Sequence, residues 1–209
     1  MALRAEKKAA TRTAIADAAM GLFLARGFDK VTVAEVGEVA RVSVNTVFNY
    51  FATKEDLFFD RQDEVVVRLA GAVRAAPADP AAAALALFRD ELDRGEPTLG
   101  LHPDAPAFWR VVGDSPSLQA RARLRGEQAE LALGDALAES GRAEDEARWI
   151  AAMLAGIDRA LHGQIRRSML AGESPDATRR AVRGTAERAF AAAGRALAAP
   201  PAEDRAASG

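Results

Sequence analysis

Apolar residues recur along this chain at intervals of three and four, the spacing that lines one face of an α-helix. Between Glu6 and Arg26 the stripe is Ile15, Ala18, Ala19, Leu22 and Phe23. Gly27 supplies a left-handed C-terminal cap, and Phe28 just beyond it can fold back on the last turn. Thr32-Val33-Ala34-Glu35 has the form of a capping box, which starts a short helix over Val33–Ala40 with Val36 and either Val39 or Ala40 turned inward. Ser43 caps a second short helix, Val44–Tyr50, and the gap between the two leaves room only for a tight turn. Thr53 opens a longer helix from Lys54 toward Ala76, carried by Leu57, Phe58, Val65, Val66 and Leu69 and stopped by Pro77 and Pro80.

Beyond Pro80 the pattern predicts helices over about 81–94, 104–112, 116–139, 143–171 and 175–199. Ser115-Pro116 and Ser174-Pro175 each place a capping serine before a proline at the first helical position, and Gly141 and Gly172 sit just past helix ends. The stretch 96–106 is irregular, and the tail 200–209 is polar and expected to be disordered. The chain is therefore read as all-α. Residues 1–53 form a helix-turn-helix unit, 54–76 a linking helix, and 77–199 a larger helical domain.

Composition supports this reading. About a quarter of the 209 residues are alanine, the strongest helix former, and long β-branched alternations are missing. There is no cysteine and there are two histidines, so thiolate chemistry and the usual zinc sites are excluded, and no metal or cofactor is expected. Gly-rich phosphate loops, H-E-x-x-H and G-x-S-x-G are missing too, which argues against an enzyme. The longest uncharged apolar run, 149–157, is about half of what a bilayer span needs, so a soluble cytoplasmic protein without a membrane partner is expected. The formal charge of −2 divides unevenly: residues 1–55 carry +2 and the remainder −4. Arg4, Lys7, Lys8 and Arg12 near the start could form a flexible basic arm toward a polyanion.

Two short helices joined by a tight turn, with a third before them, describe a helix-turn-helix, although a plain helical bundle would share that geometry. Asn45, Thr46, Asn49 and Tyr50 favour the first reading, because a merely solvated face more often carries Lys and Glu. Val47 and Phe51 would be the packing anchors.

Ile15 through Ala19, Leu22-Phe23, Gly27-Phe28, Thr32-Val33, Val42-Ser43, Thr46-Val47-Phe48, Tyr50-Phe51 and Lys54 through Leu57 together resemble the N-terminal domain of the TetR family of transcriptional regulators over about residues 8–60. The resemblance implies a homodimer that sets one reading helix per subunit into successive major grooves of a near-palindromic double-stranded DNA operator. It further implies a repressor released by a small-molecule effector that shifts the linking helix. Carried over by position, Thr46, Tyr50 and Lys54 hold phosphates, and Val44, Asn45, Phe48 and Asn49 face bases. The chain departs from the family twice: Arg41 stands at a turn position usually held by glycine, and Phe48 where tyrosine is frequent. Arg41 therefore implies either strain or a different turn.

In the C-terminal half, Ile150, Leu154, Ile157, Leu161 and Ile165 recur close to a heptad seam, and Leu124 and Leu131 form a looser one. The family's dimer bundle makes these seams the expected interface, although an intramolecular core would explain the residues equally well. Phe88, Leu92, Trp109, Trp149 and Met153, with His102 and Arg110 as polar contacts, are the candidates for an effector pocket, each also readable as core or loop. The alternatives to a ligand-responsive regulator are a DNA-binding protein that responds to no ligand and a helical enzyme with a DNA-binding appendage.

Overall fold

In the computed structural model, which describes residues 2–60 and 63–198, ten α-helices follow one another: α1 (Ala2–Arg26), α2 (Val33–Ala40), α3 (Val44–Tyr50), α4 (Lys54–Phe58), α5 (Asp63–Ala75), α6 (Pro80–Arg94), α7 (Ala105–Asp114), α8 (Pro116–Glu139), α9 (Glu144–Leu170) and α10 (Pro175–Ala198). A single 3-10 turn, Pro97–Leu99, interrupts the irregular stretch. There is no strand among the described residues, and no described helix is long and apolar enough to cross a membrane. The tail 200–209 lies outside the described residues.

Two hydrophobic cores organise these helices. The first is aromatic: Phe23, Phe28, Phe51, Phe58 and Phe59 are all buried, together with Ile15, Val36 and Val47 from the three N-terminal helices. Phe28 does fold back on α1, its ring 4.9 Å from that of Phe23. The Gly27 amide closes the helix on the Phe23 carbonyl at 2.9 Å, with glycine in the left-handed region at φ 83°. Val111 and Val112 of α7 and Leu118 of α8 complete this core, so the N-terminal unit is sealed by the C-terminal half of the chain. The second core joins α5, α6, α8, α9 and α10 through aliphatic residues and alanines around Phe88 and Phe190.

Inside the second core lies a charged cluster. Arg68 of α5 donates to Glu91 of α6 at 2.7 Å and to Asp158 of α9 at 2.6 Å, all three largely withdrawn from water. Burial lifts the Glu91 carboxyl above its ordinary range even though Arg68 pulls the other way, and the like charge of Asp158 adds to the lift. The two carboxylates hold the Arg68 guanidinium in its charged form against the cost of burial.

Two sequence expectations need correcting and a third is narrowed. The linking helix is not continuous: α4 ends at Phe58 and α5 begins at Asp63. Leu57, Phe58 and Phe59 are all buried, and three successive side chains cannot share one face of a helix, so the chain leaves helical geometry at Phe59 (φ −99°, ψ 20°). On α2 the expected inward pair is Val36 with Ala40, which packs against the first core, whereas Val39 is 56% exposed and Gly37 is buried against the following turn. Ser115 does not cap α8 with its side chain but donates to Asp29 at 2.9 Å, tying that helix to the turn after α1. Ser174, by contrast, accepts from the Ala177 amide as expected.

Candidate nucleic-acid interface

The turn between α2 and α3 is built from backbone contacts. Arg41 adopts the left-handed conformation (φ 57°, ψ 42°), the one described non-glycine residue with positive φ, at a cost of about 1 kcal/mol. Its amide bonds to the carbonyls of Glu38 and Gly37, and the Val42 amide reaches Gly37 at 2.9 Å. The two helices approach so closely here that a β-carbon on Gly37 would lie 2.9 Å from the Val42 carbonyl oxygen. The Thr32–Glu35 capping box forms with both bonds in place, and Arg26 adds an ion pair at 2.7 Å. The Thr32 amide, then Arg26, hold the Glu35 carboxyl down at about 2.

Ser43 caps α3, accepting from the Thr46 amide at 3.0 Å, while its hydroxyl also pairs with that of Thr46. Val47 is fully buried and fixes the rotation of the helix. That rotation leaves Val44, Asn45, Phe48 and Asn49 exposed, Phe48 at 50%, with Thr46 and Tyr50 half-buried at the flanks. Six of the seven sequence-predicted contact residues thus occupy one helix. The seventh, Lys54, starts α4, where its ammonium lies 4.2 Å from the centre of the Phe28 ring.

Arg12 was not visible as part of this assembly. It runs from α1 under the reading helix, stacks on Phe51 at 4.5 Å, donates to the Tyr50 carbonyl at 3.0 Å and pairs with Asp60. It is a brace for the end of α3, not part of a flexible arm, and α1 itself is helical from Ala2. Asp56 pairs with Arg121 of α8, a second tie between the N-terminal unit and the body.

The predicted C-terminal sites are dispersed. Phe88 and Leu92 are buried in the second core, with Met153 packed against it. Trp149 is 49% exposed on the outside of α9. His102 and Trp109 border a cleft against α1 and α4, while Arg110 borders a different groove beside Asp29 and Lys30. The seven therefore do not enclose one cavity. The interface seam changes as well: Ile150, Leu154, Leu161 and Ile165 are buried within the subunit's own core, whereas Ile157 packs on that core and stays partly exposed. Leu124 and Leu131 of α8 are exposed.

A capped, braced helix-turn-helix with an exposed second helix, mounted on a larger helical body, has the architecture found in DNA-binding domains of the three-helix type. Residues 15–60 match the pattern of the bacterial regulatory proteins of the tetR family. The chain is 46% identical over 48 residues to the HTH-type transcriptional regulator LuxR of Vibrio harveyi, 23% of either chain, and 32% identical over 136 residues to the HTH-type transcriptional regulator TcmR of Streptomyces glaucescens, 61% of this chain and 59% of that one. It thus spans less than a quarter and less than two thirds of these two relatives. The fold as a whole is similar to that of NalD, the secondary repressor of a multidrug efflux pump in Pseudomonas aeruginosa, with a TM-score of 0.56 at 19% identity, covering 86% of this chain and 96% of that one. It is also similar to Thermus thermophilus FadR, a repressor solved with lauroyl-CoA, with a TM-score of 0.51 at 24% identity over 95% and 100% of the two chains. Residues 15–60 thus carry the sequence pattern of the tetR-family DNA-binding domain, and the chain as a whole shares the fold of these regulators.

Proposed function

We propose that this protein is a homodimeric transcriptional regulator, a repressor that leaves a palindromic operator when a small molecule binds, and that it acts in the cytoplasm without catalysing a reaction. The observation that carries this reading is the exposed face of α3, held rigid by the Ser43 cap and the Arg12 brace. Asn45 or Asn49 would read adenine through its N6 and N7 edge, and Val44 or Phe48 would touch a thymine methyl. Thr46, Tyr50 and Lys54 would hold the phosphates on either side, Lys54 from the N-terminus of α4.

The second subunit would cover the outer face of α9 and α10. There Trp149, Ala152 and Ala160 are exposed beside the half-buried Gly156 and Gly163, while Ala181 and Ala191 are exposed on α10. Side chains this small let two helix pairs approach closely. Dimer geometry makes binding sensitive to small movements, since two reading helices must meet grooves about 34–36 Å apart.

The test is binding of the full chain to duplex DNA from its own upstream region, measured against salt. Lys54→Ala should lower the salt slope by about 0.9 and weaken all sequences alike. Asn45→Ala and Asn49→Ala should instead relax preference at one or two base pairs, by about 1–3 kcal/mol each. No sequence preference in the unaltered protein would refute the reading.

A further inference from the structure

A cleft of about 360 Å³ lies where the N-terminal unit meets the body, within the size range of small-molecule sites. Its walls come from α1, α4, the turn after α6 and α7. One side is aromatic: Phe58 and Phe108 stack at 4.6 Å, and Trp109 stands edge-on to Phe108 at 4.9 Å. The rim carries three carboxylates, Asp17, Asp60 and Asp104, and among the described residues no lysine or arginine lines the space. Asp60 is neutralised by Arg12. Asp104 is exposed at the head of α7 and makes no capping hydrogen bond with its side chain.

The indole Nε1 of Trp109 is buried and has no acceptor among the described residues. Gly100 brings the turn against it so tightly that a β-carbon there would lie 3.1 Å from that nitrogen. This buried donor calls for an acceptor, a role that an ordered water at the back of the cleft can fill beside a bound cation, which itself supplies none. Elsewhere the same tryptophan borders a groove of opposite character, lined by Arg123, Arg159, Arg166 and Arg167.

We propose that the cleft between α1, α4 and α7 binds an organic cation with an aromatic body, its ring against Phe58, Phe108 and Trp109 and its charge beside Asp104. Aromatic faces attract a cation through their quadrupole, and an unneutralised carboxylate adds to that attraction. The bound cation touches α1 and α4, which flank the helix-turn-helix, and the body at once. Its role as an effector rests on the regulatory function proposed above, whereas binding itself does not.

The experiment therefore omits DNA. Benzyltrimethylammonium is titrated into the full chain while the indole N–H resonances of Trp109 and Trp149 are followed by NMR, with N-benzylacetamide as the neutral counterpart. The Trp109 signal should shift saturably with the cation, and Trp149, outside the cleft, should not move. Asp104→Asn should weaken the cation about fivefold and Asp104→Lys should abolish its binding, with the response to the neutral compound unchanged in both. An unmoved Trp109 signal, equal affinity for the neutral compound, or indifference to Asp104→Lys would overturn the proposal. If the chain fails to recognise DNA yet passes this titration, the regulatory reading falls and the cation site stands.

Discussion

The two cores of this molecule solve the same problem with different chemistry. The N-terminal unit has helices of seven and eight residues, too short to persist alone, and it holds them with large aromatic side chains and a cap at each start. The C-terminal body has helices of 24 and 27 residues that need only a narrow seam of alanine, leucine and isoleucine, and a buried arginine shared by two carboxylates joins three of its helices. Short helices are positioned by their ends. Long ones are positioned by what they enclose.

The strongest way to break that contrast is to remove the charge from the body. Arg68→Ala leaves Glu91 and Asp158 buried without their cation and should cost about 3–5 kcal/mol, read as a fall in the denaturation midpoint. Replacing all three by apolar residues of similar volume should restore most of that stability, which would locate the loss in the unpaired carboxylates. In the N-terminal unit, Gly37→Ala drives a methyl against the Val42 carbonyl and should cost about 1–3 kcal/mol, with DNA binding lost as the two helices part. Arg41→Gly works in the opposite direction. It relieves a left-handed arginine and should stabilise the protein by about 0.5–1 kcal/mol, measured by urea unfolding.

The smallest effect is a pH dependence. Glu35 titrates at about 2 in the folded chain against an ordinary 4.5, so its contribution is complete above 4.5 and drains away as the pH falls toward 2. Glu35→Gln should flatten the stability profile across that window and leave it unchanged at neutral pH relative to the variant's own plateau.

The sequence was most informative where structure is local. Thr32 with Glu35, Ser43, Gly27 and Ser174 announced their helix ends, because capping is a property of a few adjacent residues. The face of α3 was legible for the same reason: one buried valine, Val47, sets its rotation. Gly37 did leave a signal, since a glycine inside a helix is costly and usually marks a close approach. The break at Phe59 was written in three successive large apolar residues, a pattern that a search for stripes reads as continuation.

The C-terminal seam was harder. Ile150, Leu154, Leu161 and Ile165 announce a face to be buried, but the spacing does not say whether the cover is the same chain or another one. The opposite face, which we propose that a second subunit covers, carries Ala152, Gly156, Ala160 and Gly163, residues with little hydropathic signal. Arg68, Glu91 and Asp158 are far apart in the chain, and nothing in their neighbours marks them as partners. The cleft beside Trp109 draws on four separate stretches, so no single one announces it.

Val111, Val112 and Leu118 belong by sequence to the body and by packing to the aromatic core of the N-terminal unit. A fragment ending at residue 60 would present the open side of that core to water and should not hold its shape. The intact chain should melt in one cooperative step, with the reading head and its carrier losing structure at the same temperature.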